Sequence, residues 1–409
     1  MPRPVSRIAV IGGSLGGLFA AALLLRRGFD VQVFERNPSE LSGRGAGIMT
    51  HPEMLAALRG SGIESGDDFG IKIPRRRTYA RDGSVLGEMP FPQVATSWER
   101  VLHLLRAAVP DARYHLGRSL VQIDQGADGV TARFADGSST SADLLVAADG
   151  IRSSARAQLM PDAVPAYAGY VAWRGLVDEA ALSPASHAAL MHDFTFGLPP
   201  GEQILAYPVP GSGNTITSGQ RRCNIVWYRP VDAVLAFPLL LTDDAGTRHG
   251  EAIPPPLIAR GVLAAMRADA NRLLPPAFAE AIRCIAVPIL QPIYDLTVPH
   301  MAFGRVALIG DAAFVARPHV GAGVTKVMAD ALALADALDA AENLAAALTA
   351  FETARLAEGQ RIVAHSRALG AYLEANIDTA AGQAAAARHR EADTMMRETA
   401  TLAFLSGHR

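Results

Sequence analysis

The stretch Arg7–Glu35, RIAVIGGSLGGLFAAALLLRRGFDVQVFE, decides the fold. Ile8, Val10 and Ile11 make an apolar run short enough for a buried strand. Gly12, Gly13, Gly16 and Gly17 then let the backbone turn sharply and come close to a ligand. Leu18–Leu25 is a run of alanine and leucine, good helix formers, ended by Gly28. Val31–Phe34 reads as the next strand and closes at Glu35. A helix N-terminus opening on glycines suits a pyrophosphate. A carboxylate at the tip of the second strand suits ribose hydroxyls. The spacing is the dinucleotide fingerprint, with Ser14 standing at the usual second glycine. Gly12-Gly13-Ser14-Leu15-Gly16 also spells a hydrolase nucleophile elbow. That elbow needs an oxyanion loop from an earlier strand, and only a short tail stands before this one.

Composition narrows the class. With 409 residues the chain has room for two domains, or for one large α/β domain carrying an insertion. Half the residues are hydrophobic and 19% are charged, which is ordinary globular usage. A formal net charge of −2 gives no bulk attraction to nucleic acid or anionic membrane. No cationic, apolar signal sequence is seen, and the apolar run Leu18–Leu25 stops at Arg26 and Arg27, short of the ~20 residues of a membrane span. Two cysteines, Cys223 and Cys284, in so long a chain point to a reduced, cytoplasmic protein. No metal is expected.

Past Glu35, Arg36-Asn37-Pro38 forms a turn and Gly43–Ile48 a glycine-rich loop that includes Arg44. Ile71–Phe91 reads as a basic hairpin turned at Asp82-Gly83, its Lys72, Arg75, Arg76, Arg77 and Arg81 suiting a solvated sheet edge. A phosphate-steering patch is the alternative reading of those charges. Trp98–Val109 is a helix, followed by strand-like runs at Arg113–Ile123, Gly129–Phe134 and Leu144–Ala148, with a type I′ hairpin signal at Asp136-Gly137. The last run ends in Asp149-Gly150, then Arg152, Ser153 and Arg156. From Tyr167 to Tyr228 the chain alternates and is rich in aromatic residues, as in an antiparallel sheet with one face toward a pocket. Val306–Ile309 is another buried strand, ending Gly310-Asp311 and leading through Arg317-Pro318-His319-Val320-Gly321-Ala322-Gly323 into a long helix from Val324. Its glycine N–H groups again favour an anionic or electron-rich group. Amphipathic, alanine-rich helices close the chain, suited to covering the core or a partner subunit, so a homodimer is an expectation.

With GGSLGG and Glu35, ADGIRSSAR (Ala148–Arg156) and LIGDAAFVARPHVGAG (Leu308–Gly323) in this order, the chain resembles the single-component flavoprotein aromatic hydroxylases of the para-hydroxybenzoate hydroxylase type. YAGYVAWRG, FTFGL, LAYPVPG and NIVWYRP look like the 2,6-dihydroxypyridine 3-hydroxylase branch, which shares Ser14. The resemblance implies an α/β fold: a Rossmann-like FAD-binding domain, an inserted antiparallel β-sheet substrate domain and C-terminal helices. The expected boundaries are 1–70, 96–166 and 290–340 for the FAD domain, 71–95 and 167–289 for the substrate domain, and 341–409 for the helices.

The resemblance carries Gly12, Gly13, Ser14, Gly16 and Gly17 to the FAD pyrophosphate and Glu35 to the adenosine ribose, with Arg36 and Arg44 beside them. Gly310 and Asp311 fall to the ribityl–pyrophosphate region. Pro318, Gly321, Ala322, Gly323, Val324 and Thr325 fall beside the isoalloxazine. Asp149, Gly150 and Arg156 match the mark that serves FAD and NAD(P)H together. Three positions depart from the family: Phe314 for the usual His, Ala322 for Gln and Thr325 for Asn. Either Trp98 or Arg100 takes the place of the family's helix arginine.

The implied reaction uses NAD(P)H and O2 to hydroxylate an electron-rich ring, a hydroxypyridine above all, through a flavin C4a-hydroperoxide. A histidine can remove a ring hydroxyl proton near neutral pH, and His319 is the candidate base. Arg317 is the candidate for a ring oxyanion, and Tyr207 the leading pocket aromatic, ahead of Trp173, His192 and Tyr228. The rival classes are a flavin oxidase or dehydrogenase, the same hydroxylation on a phenol or another N-heterocycle, and a flavin-binding protein without turnover.

Overall fold

The structure, a computed structural model, describes residues 5–41, 47–374 and 379–406. Arg44 lies outside the described residues. In chain order the strands are β1 (Arg7–Ile11), β2 (Asp30–Phe34), β3 (Gly47–Met49), β4 (Ile71–Tyr79), β5 (Val85–Ser97), β6 (Tyr114–His115), β7 (Leu120–Gln125), β8 (Val130–Phe134) and β9 (Ser139–Ala142). There follow β10 (Leu144–Ala147), β11 (Ala166–Asp178), β12 (Phe194–Gly197), β13 (Gln203–Val209), β14 (Arg222–Pro230), β15 (Ile289–Asp295), β16 (Ala302–Phe303) and β17 (Val306–Leu308).

The first sheet has the order β16-β17-β10-β1-β2-β6, parallel except at β16. Its central strands are buried runs of aliphatic residues, as a sheet covered on both faces requires. The helices Leu15–Arg26 and Gly323–Ala340 pack together on it, with Val327 Cγ2 only 2.5 Å from where a Cβ on Gly16 would lie. Ile11 is in register with both Phe34 and Ala147, and Ala147 with Leu308. The loops after β1, β2, β10 and β17 therefore leave the sheet at one level, the place where open α/β sheets bind ligands.

The second sheet has the order β15-β11-β14-β13-β12-β4-β5-β3, antiparallel apart from the β12–β4 pair. Alternation sorts its side chains. Tyr170, Ala172, Leu205, Tyr207, Val226 and Tyr228 share an inner face, packed with residues of the C-terminal segment. Val171, Trp173, Ile204, Ile225 and Trp227 point the other way, under the helices Arg260–Leu273 and Pro276–Cys284. Strands β7, β8 and β9 make a small third sheet.

Several expectations are corrected. β3 and β15 belong to the second sheet, although their sequence positions were assigned to the cofactor domain. β4 lies between β12 and β5, so the arginines there do not guard an edge. Arg75 and Arg77 pair with Asp193, while Arg76 is fully buried and donates to the carbonyls of Met396 and Thr399. At the β8–β9 turn only Gly137 has positive φ, which rules out type I′ because that turn needs it at both central residues. After Pro254 the chain makes a short 3-10 turn at Pro255–Leu257 and then the helix Arg260–Leu273. No described helix is long and apolar enough to cross a membrane.

One buried ion pair ties the sheet loops to the helical layer. Asp330 accepts from the Gly310 N–H at 2.9 Å and from Arg355 Nε at 2.8 Å. Truncating Asp330 leaves the Gly310 N–H without its acceptor and the buried Arg355 guanidinium with the more exposed Glu358, at 2.8 Å, as its remaining carboxylate. Asp330→Ala should cost about 3–5 kcal/mol in chemical denaturation of the intact chain; a loss below about 1 kcal/mol would show that the pair is dispensable.

Candidate active site

A cleft of about 670 Å³ runs along the C-terminal ends of the parallel strands. Its lining includes Gly12, Ser14, Glu35, Arg36, Asp149, Gly150 and Asp311, brought together from four separate loops. At the first turn Gly12 has φ +102°, and a Cβ there would sit 2.4 Å from the Ala148 carbonyl oxygen. A Cβ on Gly17 would lie 1.8 Å from the Gly12 carbonyl oxygen, so only glycine lets the helix begin this close to the turn. Ser14 is the N-cap of that helix, its side chain free of any capping bond and its carbonyl accepting from Leu18 N–H.

Glu35 is buried. One of its carboxylate oxygens accepts from the Gly13 N–H at 2.8 Å and the other from the Asn37 N–H at 2.9 Å. Tyr114, which nothing in the sequence singled out, donates its hydroxyl to the Gly13 carbonyl at 3.0 Å and closes the turn from behind. Asp149 accepts from Ala155 N–H through one oxygen, while the other is buried without a partner. Burial holds this carboxyl above its usual range. An orphaned acceptor in a cleft calls for a donor such as a cofactor hydroxyl.

Arg156 does not line the cleft. Its guanidinium donates to the carbonyls of Ala163 (3.0 Å), Asp311 (3.3 Å), Ala312 (3.0 Å) and Ile151, which makes it a staple between two loops. Asp311 does reach the cleft, and buried Lys326 is ion-paired to it at 3.1 Å. Between Trp98 and Arg100, Trp98 lines the cleft and Arg100 pairs with Asp68.

The turn Pro318–Val320, left-handed Gly321 and the N-cap Ala322 lead into the helix at Gly323, around which a Cβ would meet open space. Val324 follows in the first turn, and Thr325 accepts or donates at 3.0 Å with His51 Nδ1. Phe314 does not take over the missing histidine's place at a ligand. It is fully buried, its ring 2.3 Å from where a Cβ on Gly359 would stand.

The three proposed catalytic side chains have different fates. His319 is 2% exposed, its Nε2 is 2.9 Å from the Tyr170 hydroxyl, and its ring lies 4.2 Å from that of Tyr228. Burial, with help from the Arg317 charge, pushes its imidazole down to about 3. It is therefore neutral at physiological pH and a much weaker base than an ordinary histidine. Arg317 is bound to Asp295 at 2.8 Å and to Glu374 at 2.6 Å. Tyr207 stands on the inner face, against Gly47. Trp173 packs on the opposite face and His192 is exposed, so neither faces the inner sheet.

Flavin adenine dinucleotide fits this geometry. The glycine cradle and helix N-terminus suit its pyrophosphate, Glu35 its adenosine ribose, unpartnered Asp149 its hydroxyls, and open Gly323 its ring. The fold and cleft thus define a flavin-binding oxidoreductase. Family models described as FAD binding domain and FAD binding domain-like match residues 6–204 and 167–295. The 2,6-dihydroxypyridine 3-monooxygenase of Paenarthrobacter nicotinovorans is 33% identical, over 88% of this chain and 89% of its own. The 3-amino-4-hydroxybenzoate 2-monooxygenase of Streptomyces cremeus is 30% identical, over 82% and 79%. The solved structure of 2,6-dihydroxypyridine-3-hydroxylase from Arthrobacter nicotinovorans superposes with a TM-score of 0.85 at 32% identity, covering 91% of this chain and 93% of that one. The chain belongs to the family of FAD-dependent aromatic monooxygenases.

Two outcomes follow. Glu35→Ala removes an acceptor from the Gly13 N–H and from the ribose, so FAD should bind ten- to a hundredfold more weakly in a fluorescence titration. Buried imidazoles also make the fold acid-sensitive: His319 and His365 have values of about 3 and about 4 against an ordinary 6.5. The unfolded chain takes up these protons below its ordinary value while the native state does not. Stability should fall as pH drops from about 6.5 toward 4, and His319→Gln should flatten the decline in urea denaturation.

Proposed function

We propose that this protein hydroxylates a hydroxypyridine, with 2,6-dihydroxypyridine as the model substrate, consuming O2 and NADH or NADPH. One observation carries the choice of ring. At the inner face the imidazole of His319 is held by Tyr170 and Tyr228, while the nearby cation Arg317 is spent on Asp295 and Glu374. That end of the inner face suits a ring oxygen, and Arg317 there is already neutralised by two carboxylates. The other inner-face arginine, Arg174, donates to Gln291 at 2.7 Å, keeps a buried Nε without a partner and turns its charge toward Tyr207 and Tyr228, where it favours an ionised ring oxygen.

FAD, when bound, takes reducing equivalents from the nicotinamide and activates O2 for transfer to the ring. The chain's own residues orient the reactants and keep water out. Asp149, Gly150 and Asp311 line the cofactor's path, and the Gly323 helix end offers backbone donors to the flavin ring. In the tautomer in which the Tyr170 hydroxyl donates to His319 Nε2, the imidazole hydrogen lies on Nδ1. His319 then donates to an already ionised ring oxygen, a role that its low basicity allows and that of a free base does not. Holding the oxygen as an anion keeps the ring electron-rich.

The test is direct. FAD-loaded protein should show 2,6-dihydroxypyridine-stimulated NAD(P)H oxidation, matched by oxygen uptake and a product heavier by one oxygen atom. No stimulation by any hydroxypyridine would overturn the substrate class. His319→Ala should lower product formed per NAD(P)H consumed, with partial recovery in His319→Asn, which retains a donor. The pH profile of kcat/KM should follow ionisation of the substrate. A limb between pH 6 and 7 that vanishes in His319→Ala would restore the histidine as a general base.

A further inference from the structure

Beyond the residues already placed, the inner face holds a buried amide with half of its hydrogen bonding unmet. Asn224, on β14, is 0% exposed. Its Oδ1 accepts from the Gly47 N–H at 3.0 Å, and its Nδ2 has no partner. The bond to Gly47 fixes which end of the amide is free. A buried donor left unpaired is unfavourable, so a ligand acceptor at this point would relieve it.

Strand register locates that donor relative to His319. Asn224 faces Tyr207 on β13 and Leu176 on β11, and Val226 faces Leu205 and Arg174. Tyr228, whose ring packs against His319, is the next inner-face residue along β14. Asn224 and Tyr228 are thus the two ends of a short floor made by Val226 and Leu205, about 13 Å apart at about 3.3 Å per residue. A six-membered ring with oxygens at positions 2 and 6 and hydrogen bonds of about 2.8 Å on both sides needs about 10 Å between its donors, which lies within that backbone separation. Gln203 also has an unpartnered buried oxygen, but it faces Tyr228 at the opposite end of the floor from Asn224.

We propose that Asn224 is a specificity residue: its free Nδ2 donates to a second oxygen of the substrate ring, remote from the oxygen held at His319. The chamber therefore selects a ring with two oxygen functions over one with a single oxygen. The inference rests on the hydroxypyridine reading and deepens it. An uncharged donor holds a hydroxyl, a carbonyl or an oxyanion, and Asn224 supplies no positive charge to offset a carboxylate.

The test compares 2,6-dihydroxypyridine with 2-hydroxypyridine, which lacks the second oxygen. Binding is followed by perturbation of the flavin absorbance in FAD-loaded wild type, Asn224→Leu and Asn224→Asp. The aspartate keeps an acceptor for Gly47 and replaces the donor with a negative charge, and it stands in should the leucine variant fail to fold. The dihydroxy ring should bind ten- to a hundredfold more weakly to each variant. The monohydroxy ring should change less than threefold, so the preference collapses. An unchanged ratio, or equal losses for both rings, would overturn the role of Asn224 while leaving the hydroxylase reading in place. Weaker FAD binding with the ratio intact would assign the donor to the cofactor and overturn it too. A wild type that binds neither ring overturns the substrate class and this inference together.

Discussion

The cleft depends on an arginine that is not part of its lining. Arg156 enters the interior beneath the Asp149-Gly150 loop and spends its guanidinium on backbone carbonyls of that segment and of Asp311–Ala312, some 155 residues away in sequence. Carbonyls at the ends of parallel strands have no ladder partner and cannot be buried unpaired. One planar group with several donors satisfies both loops at once, which a lysine could not do in fixed geometry. Because those loops emerge at the same register as Gly12 and Glu35, fixing their separation fixes the width of the whole groove.

This explains what was legible in the sequence and what was not. Gly12, Gly13 and Gly17 are legible because a glycine cluster between a strand and a helix is itself a signal, although only at Gly17 is the obstructing atom, the Gly12 carbonyl oxygen, a local one. Asp149, Gly150 and Asp311 stood at strand ends, and strand ends of buried apolar runs can be read directly. Arg156 sat inside a motif and was read as a ligand contact, since a motif gives position and not the direction of a side chain. Tyr114 and Lys326 carry no motif at all; each matters through a partner distant in sequence. The second sheet was visible as alternation, yet alternation alone does not say which face meets the ligand. Tyr207 and Trp173 looked alike until their strands were paired, and they face opposite sides. Strands β3 and β15 joined the second sheet through pairings that no local pattern encodes.

His319 shows how burial can reverse an assignment made from residue type. A histidine on a loop beside a flavin reads as a base because its ordinary titration lies near neutrality. Enclosed among Tyr170, Tyr228 and the Arg317 ion pair, the charged imidazolium is disfavoured and the neutral ring persists. The enclosure that weakens it as a base also fixes its orientation, and a fixed dipole in a dry site acts without reorganisation.

The long helix Leu344–Gly370 carries the last constraint. Gly359 and Gly370 are separated by three helical turns and so share a face. At Gly359 the absent Cβ makes room for Phe314, and at Gly370 for the Tyr170 hydroxyl, 2.4 Å from where it would stand, and for the His319 ring. The helix backbone thus presses on both ends of the segment from Phe314 to His319. Phe314 fills the space that Gly359 leaves open on this helix, its ring fully buried. Any side chain at Gly370 would move Tyr170 away from His319. The contact between Tyr170 and His319 therefore depends on the absence of one carbon at Gly370.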